Sequence, residues 1–232
     1  HLLKEGKIEI TAQIDGLLKV RTEQLGRVNA LGEMMIATIH GNFPVRKGDK
    51  IAATRIIPLV IEEEKMNRAR EAAGEQPLLE ILPFAKMKAG IVTTGSEVFK
   101  GRIQDAFGPA IRAKLEEYAV EVVGQKIVDD KQEDIVAAIQ SYLDMDLVLC
   151  TGGTSVDPDD RTPGAIKAVG ADIVSYGAPV LPGAMFLISY YNTVNNKTIP
   201  VLGLPGCVMY AKRTVFDLVL PRILAGERLT PQ

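Results

Sequence analysis

The stretch Cys150-Thr151-Gly152-Gly153-Thr154-Ser155-Val156-Asp157-Pro158-Asp159-Asp160-Arg161-Thr162-Pro163 joins two opposite signals. Before it runs Leu147-Val148-Leu149, an apolar triplet that reads as a buried strand. After it, Thr162 reads as a helix cap and Pro163 as the first helical residue. Between these signals lie two glycines, three hydroxyls and three carboxylates. Paired glycines let backbone approach a ligand closely. Hydroxyls and free N–H groups at a helix start suit phosphate. Carboxylates that close to an anion repel it unless a cation stands between. One reading is therefore a phosphorylated ligand with Mg²⁺, and the other is a polar strand-to-helix turn with no ligand.

Working outward, residues 88–232 alternate strands and helices. Strands are expected at Gly90–Thr93, Val120–Ile127 and Asp146–Cys150. Helices are expected at Asp105–Tyr118, with Phe107, Ile111, Leu115 and Tyr118 on one stripe, at Lys131–Leu143 and at Thr162–Val169. Met185–Tyr191 and Lys197–Gly203 read as two strands joined through Asn195-Asn196, and Val208–Leu224 as one long closing helix. Such alternation predicts an α/β fold with a mostly parallel sheet covered on both faces, in three layers. In such a sheet ligands bind outside the carboxyl ends of the strands. Three glycine-bearing loops, the first two also rich in hydroxyls, fall there: Thr93–Asp105, the Gly152 loop, and Gly203-Leu204-Pro205-Gly206-Cys207.

Residues 1–75 read as a small, mainly β module with an exposed helix, and residues 76–87 as a linker. Ile8, Ile10, Ala12 and Ile14 alternate with polar residues, and Asp15-Gly16 before Leu17–Val20 predicts a hairpin. Thr22–Ala30 reads as a helix with Leu25 and Val28 inward. The charged segment Ile61–Ala73 reads as a helix in solvent.

The chain has 232 residues, 47% of them hydrophobic, which is enough for a proper core. A net charge of -2 gives no general reason to expect nucleic acid or an anionic membrane as partner. Its two cysteines, Cys150 and Cys207, are too few for a disulfide framework, and their apolar surroundings suit a reducing cytoplasm. No signal peptide or spanning segment is evident, and a start at His1 rather than Met reads as a fragment.

From Lys88 to Leu224 the chain resembles the molybdopterin-binding domain of molybdenum-cofactor synthesis proteins, found in the molybdopterin adenylyltransferases and molybdenumtransferases, with a relative in the competence-damage-inducible family. Thr94-Gly95-Ser96-Glu97-Val98 matches the molybdenumtransferase Thr-Gly-Asp-Glu-Leu, with Ser96 in place of Asp. Gly101-Arg102-Ile103-Gln104-Asp105 matches Gly-x-Ile-x-Asp, followed here by Ala106-Phe107 where the family has Ser-Asn. Asp129-Asp130 resembles an acidic pair after the second strand. Gly152-Gly153-Thr154 has the adenylyltransferase form and Ser155-Val156 the molybdenumtransferase form. Asp160 falls where both branches carry a functional Asp. Leu204-Pro205-Gly206 matches Leu-Pro-Gly with Cys207 for Asn, and Pro182-Gly183 matches a Pro-Gly pair with Ala184 for Lys. The small C-terminal β domain of the molybdenumtransferases has no counterpart before Gln232, so the chain reads as a divergent or truncated relative.

The resemblance implies a pterin ligand, molybdopterin or its adenylylated form. It implies that Gly95, Gly152 and Gly153 offer backbone N–H groups to the phosphate and that Thr94, Ser96, Thr154 and Ser155 add donors, with Pro205 and Gly206 completing the site. Asp160 would hold Mg²⁺, with Glu97 and Asp105 as acidic partners in catalysis. The implied activity is molybdate insertion. The alternatives are adenylyl transfer, or a non-catalytic molybdopterin carrier or sensor, and the assembly implied is a homo-oligomer. Four residues keep a structural reading as well: Asp105 as a cap of its own helix, the Asp129-Asp130 pair as caps of the next, and Cys207 as a small apolar residue at a helix start rather than a thiolate.

Overall fold

The computed structural model describes residues 2–4, 6–154 and 160–230, so Ser155 to Asp159 of the central loop lie outside the described residues. Two compact units divide the chain, residues 1–84 and 85–232.

The first unit has two small antiparallel sheets and two helices. Its elements run β1 (Leu2–Lys4), β2 (Lys7–Thr11), β3 (Gly16–Val20), α1 (Thr22–Asn29), β4 (Met34–Thr38), β5 (Phe43–Val45), β6 (Lys50–Ile56), α2 (Glu63–Ala73) and β7 (Leu79–Pro83). One sheet has the order β1-β2-β6-β4 and the other β5-β3-β7. The expected Asp15-Gly16 hairpin is absent, because β2 pairs with β6 while β3 pairs with β5 and β7. The Asp-Gly pair instead marks the passage from one sheet to the other. The Asp15 carboxylate accepts from the Lys47 N–H at 2.7 Å. A Cβ on Gly16 would lie 2.3 Å from the Leu82 carbonyl oxygen, so the glycine is needed for approach to β7 rather than for a turn. Strand β7 lies inside the segment expected to be linker. Leu79 and Ile81 pack against Leu18, Val45 and Ile51, which makes that segment part of the first core. Helix α2 is charged outward, but Ala69 is buried with Val28 and Met34, and Met66 packs on them.

The second unit runs β8 (Lys88–Thr94), α3 (Ser96–Phe99), α4 (Phe107–Glu116), β9 (Glu121–Val128), α5 (Gln132–Gln140), β10 (Leu147–Thr151), α6 (Thr162–Ala168), β11 (Asp172–Tyr176), β12 (Leu187–Asn192), β13 (Thr198–Leu204), a 3₁₀ turn (Gly206–Met209) and α7 (Val215–Leu224). Its six-stranded sheet has the order β11-β12-β13-β10-β8-β9. The pairs β13-β10, β10-β8 and β8-β9 are parallel, and β11 and β12 join antiparallel. This is the mixed α/β, mostly parallel sheet that the alternation predicts. The central strands β8, β10 and β13 are buried along nearly their whole length and mostly apolar, as suits strands covered on both faces. Val92, Val148 and Cys150 face Ile135, Ile139, Ala165 and Ile166 of α5 and α6. Thr93, the neighbour of Val92, points to the other face. There its hydroxyl accepts from Gln125, whose amide also donates to Asp105 ahead of α4. Among the described residues no helix is long and apolar enough to cross a membrane.

The expected closing helix Val208–Leu224 is two pieces. Thr214 and Asp217 form a capping box that starts α7 afresh, with the Thr214 N–H donating to Asp217 at 2.7 Å. Asp217 is buried and takes Lys114 Nζ of α4 at 2.8 Å, and the same ammonium donates to the Lys212 carbonyl at 2.9 Å. One carboxylate therefore starts α7, ties it to α4 and anchors the chain that leads from the 3₁₀ turn. Asp217→Ala would strip the cap and leave Lys114 buried without its counter-charge. We expect a loss of about 3–5 kcal/mol in the unfolding free energy of this unit, measured by urea denaturation.

Candidate functional site

The register of the parallel strands brings three loops to one level. Thr151 of β10 pairs with Thr93 of β8 on one side and Leu204 of β13 on the other, and Thr94 pairs with Val128 of β9. The chain therefore leaves β8, β9, β10 and β13 along one rim.

These loops are fastened to each other by their polar groups. The first two cross backbone to backbone, since a Cβ on Gly152 would lie 2.1 Å from the Thr94 carbonyl oxygen. Gly152 and Gly153 have φ of 82° and 55°, in the left-handed region that glycine enters without strain. The Thr162 hydroxyl donates to the Gly152 carbonyl at 2.7 Å and lies 3.4 Å from the Thr94 hydroxyl. The Thr154 hydroxyl donates to the Leu204 carbonyl at 2.7 Å, which ties the second loop to the third. On the other flank Gly95 N–H donates to the Val128 carbonyl and Ser96 N–H to Asp130, while the Ser96 hydroxyl donates to Asp129.

Beside this weave opens a cleft of about 500 Å³. One part of its lining is apolar, from Val98, Ile103 and Phe107. The rest is polar: Thr94 to Glu97, Asp130, Gly153, Asp160 and Arg161. The Ser96 hydroxyl, followed by the Asp130 N–H, holds the Asp129 carboxyl below the usual carboxylate range. Burial, followed by the charge of Asp160, pushes the Tyr176 phenol up. Burial also pushes the Cys207 thiol up and Cys150 to about 12, so neither is a ready thiolate.

Residues 90–225 match the family model described as "Probable molybdopterin binding domain". The chain belongs to this family. Among solved structures it is similar to the molybdopterin biosynthesis enzyme MoaB of Thermus thermophilus, at 26% identity and a TM-score of 0.50, over 61% of this chain and 98% of that one. Among curated proteins it is similar to a CinA-like protein of Mycobacterium avium, 43% identical over 77 residues, which are 32% of this chain and 18% of that protein. A CinA-like protein of Mycobacterium marinum is 42% identical over 77 residues. The match thus spans less than a fifth of the length of these curated relatives. The family is described by molybdopterin binding and named for molybdenum-cofactor biosynthesis.

Of the expected site residues of this molybdopterin-binding domain, Thr94, Gly95, Ser96, Glu97, Gly153 and Asp160 come together on the cleft. Ser155 lies outside the described residues. Gly152, Thr154, Pro205 and Gly206 are not on the cleft lining. Gly152 and Thr154 hold the loops together, and Pro205 accepts from the Val208 N–H to start the 3₁₀ turn. Asp105 is a cap: its carboxylate accepts from the N–H groups of Phe107 at 2.9 Å and Gly108 at 3.1 Å, and from Gln125 at 2.6 Å. Asp129 and Asp130 do not cap α5, whose N-terminus has no side-chain cap, but clasp Ser96. Thr162 is itself the first residue of α6 and does not cap it, its hydroxyl being spent on Gly152. Sequence reasoning missed Val98, Ile103 and Phe107 as lining residues. Their one signal was apolar residues scattered through the polar stretch from Thr94 to Phe107.

Two outcomes follow. Gly152→Ala forces a Cβ onto the Thr94 carbonyl in a left-handed conformation, and denaturant unfolding should register a loss on the order of 3 kcal/mol. Ser96→Ala removes the first cause of the low Asp129 titration, so carbon-detected NMR should find that carboxyl moved up towards the ordinary range. The folded Asp129 titrates below its unfolded value, so its contribution is present at neutral pH and lost as pH falls through the folded value.

Proposed function

We propose that the second unit binds molybdopterin or its adenylylated form in the cleft beside the Gly152 and Thr94 loops and promotes molybdate insertion. The observation that carries this reading is the convergence of Gly95, Gly153, Glu97 and Asp160 on one cleft at the carboxyl ends of parallel strands. Support for the inserting branch comes from the Thr94–Val98 motif, and support for adenylyl transfer from Gly152-Gly153-Thr154. Chemistry at a phosphate or its anhydride depends mainly on positioning and charge neutralisation, which backbone donors and carboxylates with a cation can supply.

Among the described residues no group of three or more His, Cys, Asp or Glu side chains stands ready to hold a metal. Mg²⁺ is commonly held by one or two carboxylates together with substrate phosphates and water. Asp160 on the cleft wall fits a cation that arrives with the ligand rather than one caged by the protein. Bound there, Mg²⁺ would neutralise charge between the carboxylate and the phosphate. Glu97 would serve as the second acidic group of the cleft.

A carrier or sensor role is the second reading. It is favoured because the hydroxyls of Ser96, Thr154 and Thr162 already donate within the protein and are not spare for a reacting phosphate. Incubation with molybdopterin, Mg²⁺ and ATP, or with adenylylated pterin and molybdate, separates the three. Adenylylation supports the transferase alternative, turnover only with molybdate supports insertion, and tight binding without turnover supports the carrier. For the first reading, Asp160→Asn should leave the fold intact by circular dichroism, abolish the Mg²⁺ dependence of binding in calorimetry, and remove turnover. A variant that binds and turns over like the parent would refute the metal role of Asp160.

A further inference from the structure

We infer that Phe107 is the residue that recognises the ring of the ligand, taking the flat face of a heteroaromatic group whose anionic tail extends towards Arg161. This rests on the pterin reading of the cleft and adds the residue that selects the ring and the direction in which the ligand lies.

The cleft is apolar in one part and charged in another. Phe107 is half-buried, with Ile103 and Val98 beside it on the lining. A purely phosphate-binding pocket has no use for three apolar side chains, whereas a flat ring presents two faces that need them. Aromatic side chains accept any flat heteroaromatic face by stacking.

The backbone of Phe107 is also anchored. It is the first residue of α4, and its N–H is fixed by the Asp105 carboxylate at 2.9 Å. Asp105 is in turn held by Gln125 of β9, which reaches Thr93 of β8 at 2.9 Å. The next residue, Gly108, brings the helix start so close to β9 that a Cβ there would lie 2.2 Å from the Gln125 side chain. The acidic residue expected to do chemistry is thus a positioning residue for the aromatic one.

Arg161 belongs to the other wall. It precedes α6, which packs on the Val92 face of the sheet, while the Asp105 cap of α4 is tied to the Thr93 face. Phe107 and Arg161 therefore reach the cleft from opposite sides of the sheet. The Arg161 side chain is exposed, lines the cleft, and has no ion-pair or hydrogen-bond partner among the described residues. A guanidinium so placed suits a phosphate by paired N–H donation.

The test uses the full chain, calorimetry, and four probes: neopterin, neopterin phosphate, adenosine monophosphate and inorganic pyrophosphate. Circular dichroism and thermal melts confirm that each variant folds. Phe107→Ala should weaken the ring-bearing probes on the order of tenfold and leave pyrophosphate unchanged. Phe107→Leu keeps apolar bulk without a π face and should fall near Phe107→Ala. Arg161→Gln should weaken the phosphorylated probes and pyrophosphate and leave neopterin unchanged. If Phe107→Leu binds the ring probes like the parent, or Phe107→Ala weakens pyrophosphate as much as neopterin phosphate, the ring-recognition role is overturned. If the parent binds adenosine monophosphate and neither pterin, the pterin reading fails, while the Phe107 pattern is still decided on the nucleotide. If the parent binds none of the ring-bearing probes, both fail together.

Discussion

The site depends on one close approach. The loop after β10 passes the loop after β8 at a distance that only a residue without a Cβ allows, Gly152 against the Thr94 carbonyl. Steric exclusion of this kind has no soft alternative, because the obstacle is backbone rather than the end of a flexible side chain. Once the two loops are that close, the Thr162 hydroxyl can reach the Gly152 carbonyl and the Thr94 and Thr162 hydroxyls can lie side by side. The start of α6 is thereby drawn to the rim, and Asp160 and Arg161, immediately before it, are delivered to the cleft. A glycine that was expected to make room for a ligand makes room for another loop, and the cleft beside the two loops is the consequence.

Polar side chains in such a rim have two possible employers, the protein and the ligand. A buried hydroxyl without a partner costs on the order of 1–3 kcal/mol, and the fold claims most of the rim's hydroxyls, the buried Thr151 hydroxyl being left without a partner among the described residues. Thr154 is claimed by Leu204 and Thr162 by Gly152. Ser96 is claimed by Asp129 across to β9. A second carboxylate at position 96 would face Asp129 and repel it, whereas the serine donates to it and closes the loop without a cation. The remaining side chains on the cleft are charged, Glu97, Asp160 and Arg161, or apolar, Val98, Ile103 and Phe107.

This division explains what could and could not be read from the residues in order. The sheet was legible because burial on both faces writes itself into Leu147-Val148-Leu149 as an unbroken apolar run, and period 3.6 writes itself into Ile111 and Leu115. The gathering of the loops was legible because parallel strands end at one rim. Partner choice was not. Asp15-Gly16 has the composition of a hairpin turn, yet its strands belong to different sheets because Leu79 and Ile81, sixty residues on, complete the core beside Leu18. The break before α7 was hidden because an amphipathic pattern continues through it, and only the pairing of Asp217 with Thr214 and Lys114 sets the new start. The same limit applies to Asp105 and Asp129. A carboxylate beside a glycine loop reads alike whether it faces a ligand, a helix N-terminus or a serine.

The charge balance of the cleft gives the last step. Glu97, Asp130 and Asp160 line it against the single cation Arg161, among the described residues. Asp130 is partly satisfied by the Ser96 N–H, but a phosphorylated ligand still adds negative charge to a wall that is already acidic. Like charges a few ångströms apart cost on the order of 1–4 kcal/mol at the effective dielectrics of a protein surface. The apolar wall cannot offset that term electrostatically, yet it can hold the uncharged end of the ligand well away from the acids and so fix which end meets Asp160 and Arg161. On the proposed reading, packing on Val98, Ile103 and Phe107 would set the orientation at the neutral end, and charge compensation would be confined to the other, where a cation carried in with the phosphate would meet the Asp160 carboxylate. A cleft with that polarity favours a ligand that is flat at one end and anionic at the other over one that is charged throughout.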